Sequence, residues 1–134
     1  MTGLKTTEDR TFIEAMQRIN IAILNPIFAL GFFGPLVGLP LCVAMLLSSD
    51  DGAAWVSALI ALIAYLSVIL ITMLKNQPMN LALDAAGEFA AMDDPHDVRT
   101  RFEATWVRWN HLRTINSILA FVFMVIAVVE YAAG

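Results

Sequence analysis

The sequence predicts an all-α integral membrane protein, a helical bundle with three transmembrane helices in 134 residues. Three observations carry this reading. Hydrophobic residues make up 59% of the chain and charged residues 15%, with a mean hydropathy of +0.72, whereas soluble domains average about 45–50% apolar. The apolar residues are gathered into runs longer than a core helix needs. A hydrocarbon core of about 30 Å is crossed by about 20 helical residues, a length these runs reach. Twelve Asp and Glu outweigh eight Lys and Arg, giving a net charge of −4, so no basic field attracts nucleic acid and that partner is disfavoured. The lone Cys42 can form no intrachain disulfide.

Residues 1–20 read as a cytoplasmic amphipathic segment, with Phe12, Met16, Ile19 and Ile23 recurring at helical intervals and Thr11 and Glu14 at capping-box spacing. A cleavable signal is not expected, since no early apolar stretch exists. The first span is 26–47, opened by Asn25-Pro26 as cap and first turn. Pro35 and Pro40 within it predict a bend whose freed carbonyls find partners on neighbouring helices. Gly34 and Gly38 form a G-x-x-x-G spacing, read as packing within the chain ahead of dimerisation. The second span is 53–74 and the third 110–130. The third belongs to a longer helix announced by Asp94-Pro95. Residues 75–109 then form a polar elbow and a helical extension, and 1–134 reads as a single membrane domain. All eight cations precede the first span, follow the second or sit where the third begins. The positive-inside rule therefore puts the elbow in the cytoplasm and the Asp50-Asp51 turn and C-terminus outside, across an inner or plasma membrane.

The polar residues gather at the cytoplasmic ends: Asn20 and Asn25, then Asn76, Gln77 and Asn80, then Asn110, His111, Arg113 and Asn116. Trp106, Asn110 and Arg113 share one helical face, which Trp109 and Asn116 extend, and His111 points about 100° from Asn110. Each has an ordinary explanation. The tryptophans suit an aromatic belt, Arg113 can snorkel to phosphates, and amides glue helices together. Their convergence favours a site, with His111 and Arg113 foremost, because ionisable residues at membrane depth are costly. No metal is expected, since His96 and His111 are the only imidazoles and no cysteine cluster joins them. No nucleotide loop or Ser-His-Asp set is present, so the sequence offers no cofactor motif.

Three motifs in order resemble the anthrone oxygenase family of small membrane proteins. They are Glu14-Ala15-Met16-Gln17-Arg18-Ile19-Asn20 leading to Leu24-Asn25-Pro26, Asn76-Gln77-Pro78-Met79-Asn80, and Trp106-Val107-Arg108-Trp109-Asn110-His111-Leu112-Arg113-Thr114. The resemblance implies oxidation of an anthrone-like aromatic ketone to a quinone by dioxygen, with no cofactor, because the substrate carbanion reacts with dioxygen directly. It would make His111 the general base. Arg113, Asn110 and Asn80 would stabilise the enolate oxygen. Trp106 and Trp109 would stack on the rings, with Asn25 and Asn76 also contacting substrate.

Family members usually carry one more helix upstream, ending in a stretch that Met1-Thr2-Gly3-Leu4 resembles. Four spans are thus expected for the family, and three would leave a flank that a second copy could fill. The competing reading is a non-catalytic helix bundle binding a lipid, a quinone or a partner protein. A transporter is weaker, because the spans lack carboxylates apart from Glu130. An enzyme should show an enclosed apolar cavity with His111 facing in, and a scaffold should show these side chains bonded to one another.

Overall fold

The structure, a computed structural model, describes residues 2–48 and 52–134. Its elements are all helical: α1 (Thr2–Lys5), α2 (Asp9–Ala22), α3 (Pro26–Leu47), α4 (Ala54–Ile71), a π-turn (Thr72–Asn76), α5 (Gln77–Ala85), a 3-10 turn (Phe89–Ala91) and α6 (Pro95–Ala133). Three stretches are long and apolar enough to cross a membrane, Pro26–Leu47, Ala54–Ala85 and Pro95–Ala133. The expected turn at Asp50 and Asp51 lies outside the described residues.

The start signals at Pro26 and Pro95 are used as the sequence indicates. Pro26 is the first residue of α3, where its missing N–H costs no bond. Asp94 caps α6, its Oδ1 accepting the Asp97 amide at 3.0 Å. One local expectation is corrected, and one helix runs on beyond its expected span. α2 already begins at Asp9, so Thr11 and Glu14 lie inside it, and Glu14 pairs with Arg10 at 2.9 Å instead of closing a capping box. The helix that holds the second span continues past Leu74, through the π-turn into α5. Pro78 explains the turn. A proline one turn into a helix crowds the backbone before it, and widening that turn to an i+5 bond, Gln77 N–H to the Thr72 carbonyl, absorbs the strain without breaking the helix.

Contacts divide the chain into two compact units, Met1–Asn25 with Ile71–His111, and Pro26–Leu70 with Leu112–Gly134. The first, here the N-terminal unit, has its core in Phe12, Ile13, Met16, Leu83 and Phe102. The amphipathic face of α2 is thus covered by protein, with Phe12 meeting Phe102 edge to face at 6.2 Å, while Ile19 is left exposed. Gln17 Nε2 donates to the carbonyls of Leu83 and Gly87 at 3.0 and 2.9 Å, tying α2 to the end of α5. That end is closed by Gly87, whose φ of +80° only glycine adopts without strain.

The second, the span unit, packs on small residues. One face of α4 buries Ala54, Ser57, Ala58, Ala61, Ala64 and Val68, and Ala58 meets Val43 and Ala127 in its core. Small side chains let helix backbones approach where no water drives them together. The glycines of α3 do not serve this purpose: a Cβ added at Gly34 or Gly38 would meet nothing within 4 Å. The expectation that this pair packs within the chain is therefore corrected, and the alanine face of α4 takes that role.

Candidate functional site

The polar residues singled out in the sequence fall into three arrangements. The first is a set of clamps in the N-terminal unit. Trp106 Nε1 donates to Asn80 Oδ1 at 2.8 Å, and Asn80 is nearly buried. The Lys75 ammonium lies 5.1 Å from the centre of the Trp109 ring. Asn25, exposed, donates its amide to the Ala22 carbonyl at 2.9 Å and so finishes α2. Asn110 is half-buried and also has a partner. Asn80 and Trp106 are thus brought together, bonded to each other as architecture requires. Asn76 differs from all of these. It ends the π-turn, is 1% exposed, and is the residue among those described whose buried amide oxygen and nitrogen both lack a hydrogen-bond partner.

The second arrangement was not foreseen. Arg99 is buried in the N-terminal unit, and its guanidinium donates to the carbonyls of Thr7 (2.6 Å), Lys5 (3.1 Å) and Leu4 (3.4 Å). It also donates to Asp9 Oδ1 at 3.0 Å and Glu103 Oε2 at 2.9 Å, and lies 4.6 Å from the centre of the Phe12 ring. The planar fork of arginine suits such multiple capture. His96 Nδ1 lies 3.0 Å from the other oxygen of Asp9. The hydrogen bond to His96 is the largest influence on the Asp9 carboxyl and, with the help of Arg99, holds it below the usual carboxylate value although burial acts the other way. Lys5, Asp9, His96, Arg99, Glu103 and His111 line a depression of about 780 Å³. His111 is exposed and lines this depression together with the charged residues and with Ala104 and Val107. Only the Asp9-Arg10 pair before Thr11 hinted at charges in this part of α2, and their distant partners left no local signal.

The third arrangement is a cavity of about 540 Å³ within the span unit, widely open along one side. Its walls are aromatic and aliphatic: Phe28, Phe32, Tyr65, Phe121, Val68 and Ile118, with the bare backbone of Gly31. Phe28 and Phe32, one turn apart on α3, stack with centroids 5.7 Å apart and planes 9° from parallel. Its polar groups are few. Arg113, Thr114 and Ser117 come from α6. The Tyr65 hydroxyl donates to the Phe32 carbonyl at 2.6 Å, and Ser117 Oγ donates to the Arg113 carbonyl at 2.9 Å. Arg113 is half-buried and is the only charged residue in the lining. An apolar pocket of this size with a few convergent polar groups is the usual form of a small-molecule site. Of the expected catalytic residues it contains Arg113 and not His111, Asn110 or Asn80. Tyr65, which completes it, was not singled out in the sequence, because one tyrosine in an apolar span carries no signal of what it faces.

The profile of the anthrone oxygenase family matches residues 27–123. No curated protein and no solved structure matches the chain. The family match contains every residue that lines the span-unit cavity, and excludes Lys5 and Asp9 of the charged depression. With nearly three quarters of its length matched, including two of the three motifs that carry the resemblance, the chain belongs to the anthrone oxygenase family.

Proposed function

We propose that the protein oxidises an anthrone-like aromatic ketone to the corresponding quinone with dioxygen, and that the span-unit cavity is the substrate site. The observation that carries this is Arg113 set into walls made of stacked phenyl rings and aliphatic side chains. Such walls take a flat, apolar ring system. A single guanidinium beside it supplies donors for one oxygen, and in apolar surroundings their effect on a developing negative charge is large.

The chemistry needs little more. The substrate's methylene carbon loses a proton, and the resulting charge is delocalised onto the ketone oxygen, where Arg113 would stabilise it. The carbanion transfers an electron to dioxygen and the radical pair combines, forming a carbon–oxygen bond. Protonation gives a hydroperoxide. Loss of the remaining hydrogen on that carbon and cleavage of the oxygen–oxygen bond then give the second ketone and one water. The cavity lining has no imidazole or carboxylate, so on this reading it acts on the acidity of the carbon through Arg113, and a water-derived base takes the proton.

The test is dioxygen uptake and quinone formation by the purified protein with an anthrone, corrected for spontaneous oxidation. Arg113→Gln is expected to lower kcat/KM by about a hundredfold, the order seen on removing an oxyanion donor. His111→Ala is expected to stay within a few-fold of wild type. A large loss in His111→Ala with Arg113→Gln unaffected would transfer the chemistry to the charged depression. Quinone binding in the cavity without dioxygen uptake would favour the non-catalytic reading.

A further inference from the structure

The two internal prolines of α3 have different surroundings. Proline has no amide hydrogen, and inside a helix its ring crowds the carbonyl four residues earlier. Pro35 therefore removes the bond that the Gly31 carbonyl would accept from position 35, and Pro40 does the same to Leu36. Gly31 lines the cavity and Leu36 does not. Gly31 also has no side chain to screen its peptide, and a Cβ added there would meet nothing within 4 Å. Gly34 and Gly38 are equally open, but of the three only Gly31 lies in the cavity lining, so its peptide is the one a bound ligand can approach. The next carbonyl, that of Phe32, is taken by the Tyr65 hydroxyl. A carbonyl without its helical partner in apolar surroundings gains strongly from any donor that reaches it.

We propose that the Gly31 carbonyl, released by Pro35, accepts a hydrogen bond from a ring hydroxyl and so selects hydroxyl-bearing aromatic ligands over their unsubstituted parents. This rests on the cavity being the substrate site. Pro35 is then a positioning residue: it touches no ligand and acts through the carbonyl it releases. Arg113 offers the cavity a charged donor and Gly31 an acceptor on different helices, so a ligand's ketone and hydroxyl are read separately.

The experiment measures binding of anthraquinone and 2-hydroxyanthraquinone to the full chain in detergent, by quenching of tryptophan emission, at a pH below the phenol's own pKa. The hydroxyl of this compound lies away from its ketones, so it does not bond internally. Wild type is expected to prefer the hydroxylated ligand. Pro35→Ala restores an amide hydrogen and improves helix propensity. It should weaken the hydroxylated ligand about fivefold, the order of one net hydrogen bond, and leave the parent unchanged. Pro40→Ala should alter neither. A Pro35→Ala variant that keeps the wild-type preference, or weakens both ligands equally, overturns the proposal while leaving the cavity reading intact. If neither ligand binds wild type beyond its partition into detergent, the cavity reading falls and this inference with it.

Discussion

The N-terminal unit fixes its own backbone with polar side chains, whereas the span unit packs one face of α4 on small residues. In the first, buried Arg99 gathers three carbonyls and two carboxylates, and Gln17, Asn80 and Trp106 each bind across elements. In the second, alanines on α4 let helices close together, and hydrogen bonds between helices include Ser57 to Glu130 at 2.7 Å and Tyr65 to Phe32 at 2.6 Å. The contrast indicates where chemistry can sit. Arg99 is turned onto the backbone and carboxylates of its own unit, while Arg113 stands in the wall of the span-unit cavity, where its guanidinium can meet a ligand.

The largest effects come from breaking each unit by its own logic. Phe12→Ala empties the N-terminal core, where Phe12 is 1% exposed, and is expected to cost about 3–5 kcal/mol. Ala58→Leu overfills the fully buried alanine face and is expected to cost about 1–3 kcal/mol. Hydrogen exchange resolved by segment checks both: the first should loosen residues 9–22 and 77–85, the second 43–47 and 54–71. If either change leaves protection in its own unit at wild-type level, the division of labour is wrong.

Asn76 sharpens the comparison, because it breaks the rule of its own unit. Asn76→Leu replaces an amide without partners by a side chain of similar size, and thermal unfolding should show stability raised by about 1–3 kcal/mol. A fall in stability would mean that the amide is bonded in solution.

The smallest effect is that of pH on the Asp9 clasp. With its folded pKa held below the ordinary 3.8 by His96 and Arg99, Asp9 stabilises the folded unit fully above about that pH. The contribution is lost as pH falls through the lower, folded value. Protease cleavage within residues 2–25 should therefore increase in that acid range for wild type. In Asp9→Asn it should already be raised at neutral pH and change less on acidification.

Much of the fold was legible because it is written locally. Span lengths follow from uncharged runs, and Pro26 and Asp94-Pro95 mark starts through the one bond each alters. The π-turn was not legible, since Pro78 reads equally well as the end of a helix. The site was legible only in part. Arg113 stood out because a cation at membrane depth is costly, and the residues that line the cavity with it were not among those its motif suggested. Asn110 and His111 lie close along the helix, and Asn80 was joined to them through its motif, while the residues that share a cavity with Arg113 come from Phe28 to Phe32 and Tyr65 to Val68 as well as from α6 itself. No periodicity within one helix reports which other helix packs against it. The Arg99 cluster was invisible for the same reason, with partners some 90 residues away.

The most direct test of the central claim is photochemical labelling. Anthraquinone bound to the protein and irradiated abstracts hydrogen from whatever it touches, and peptide mass spectrometry locates the adducts. The account predicts adducts within residues 28–32, 65–68 and 113–121, competed away by excess anthrone. Adducts confined to residues 5–9 and 96–111 would contradict it and make the charged depression around His96 and His111 the site.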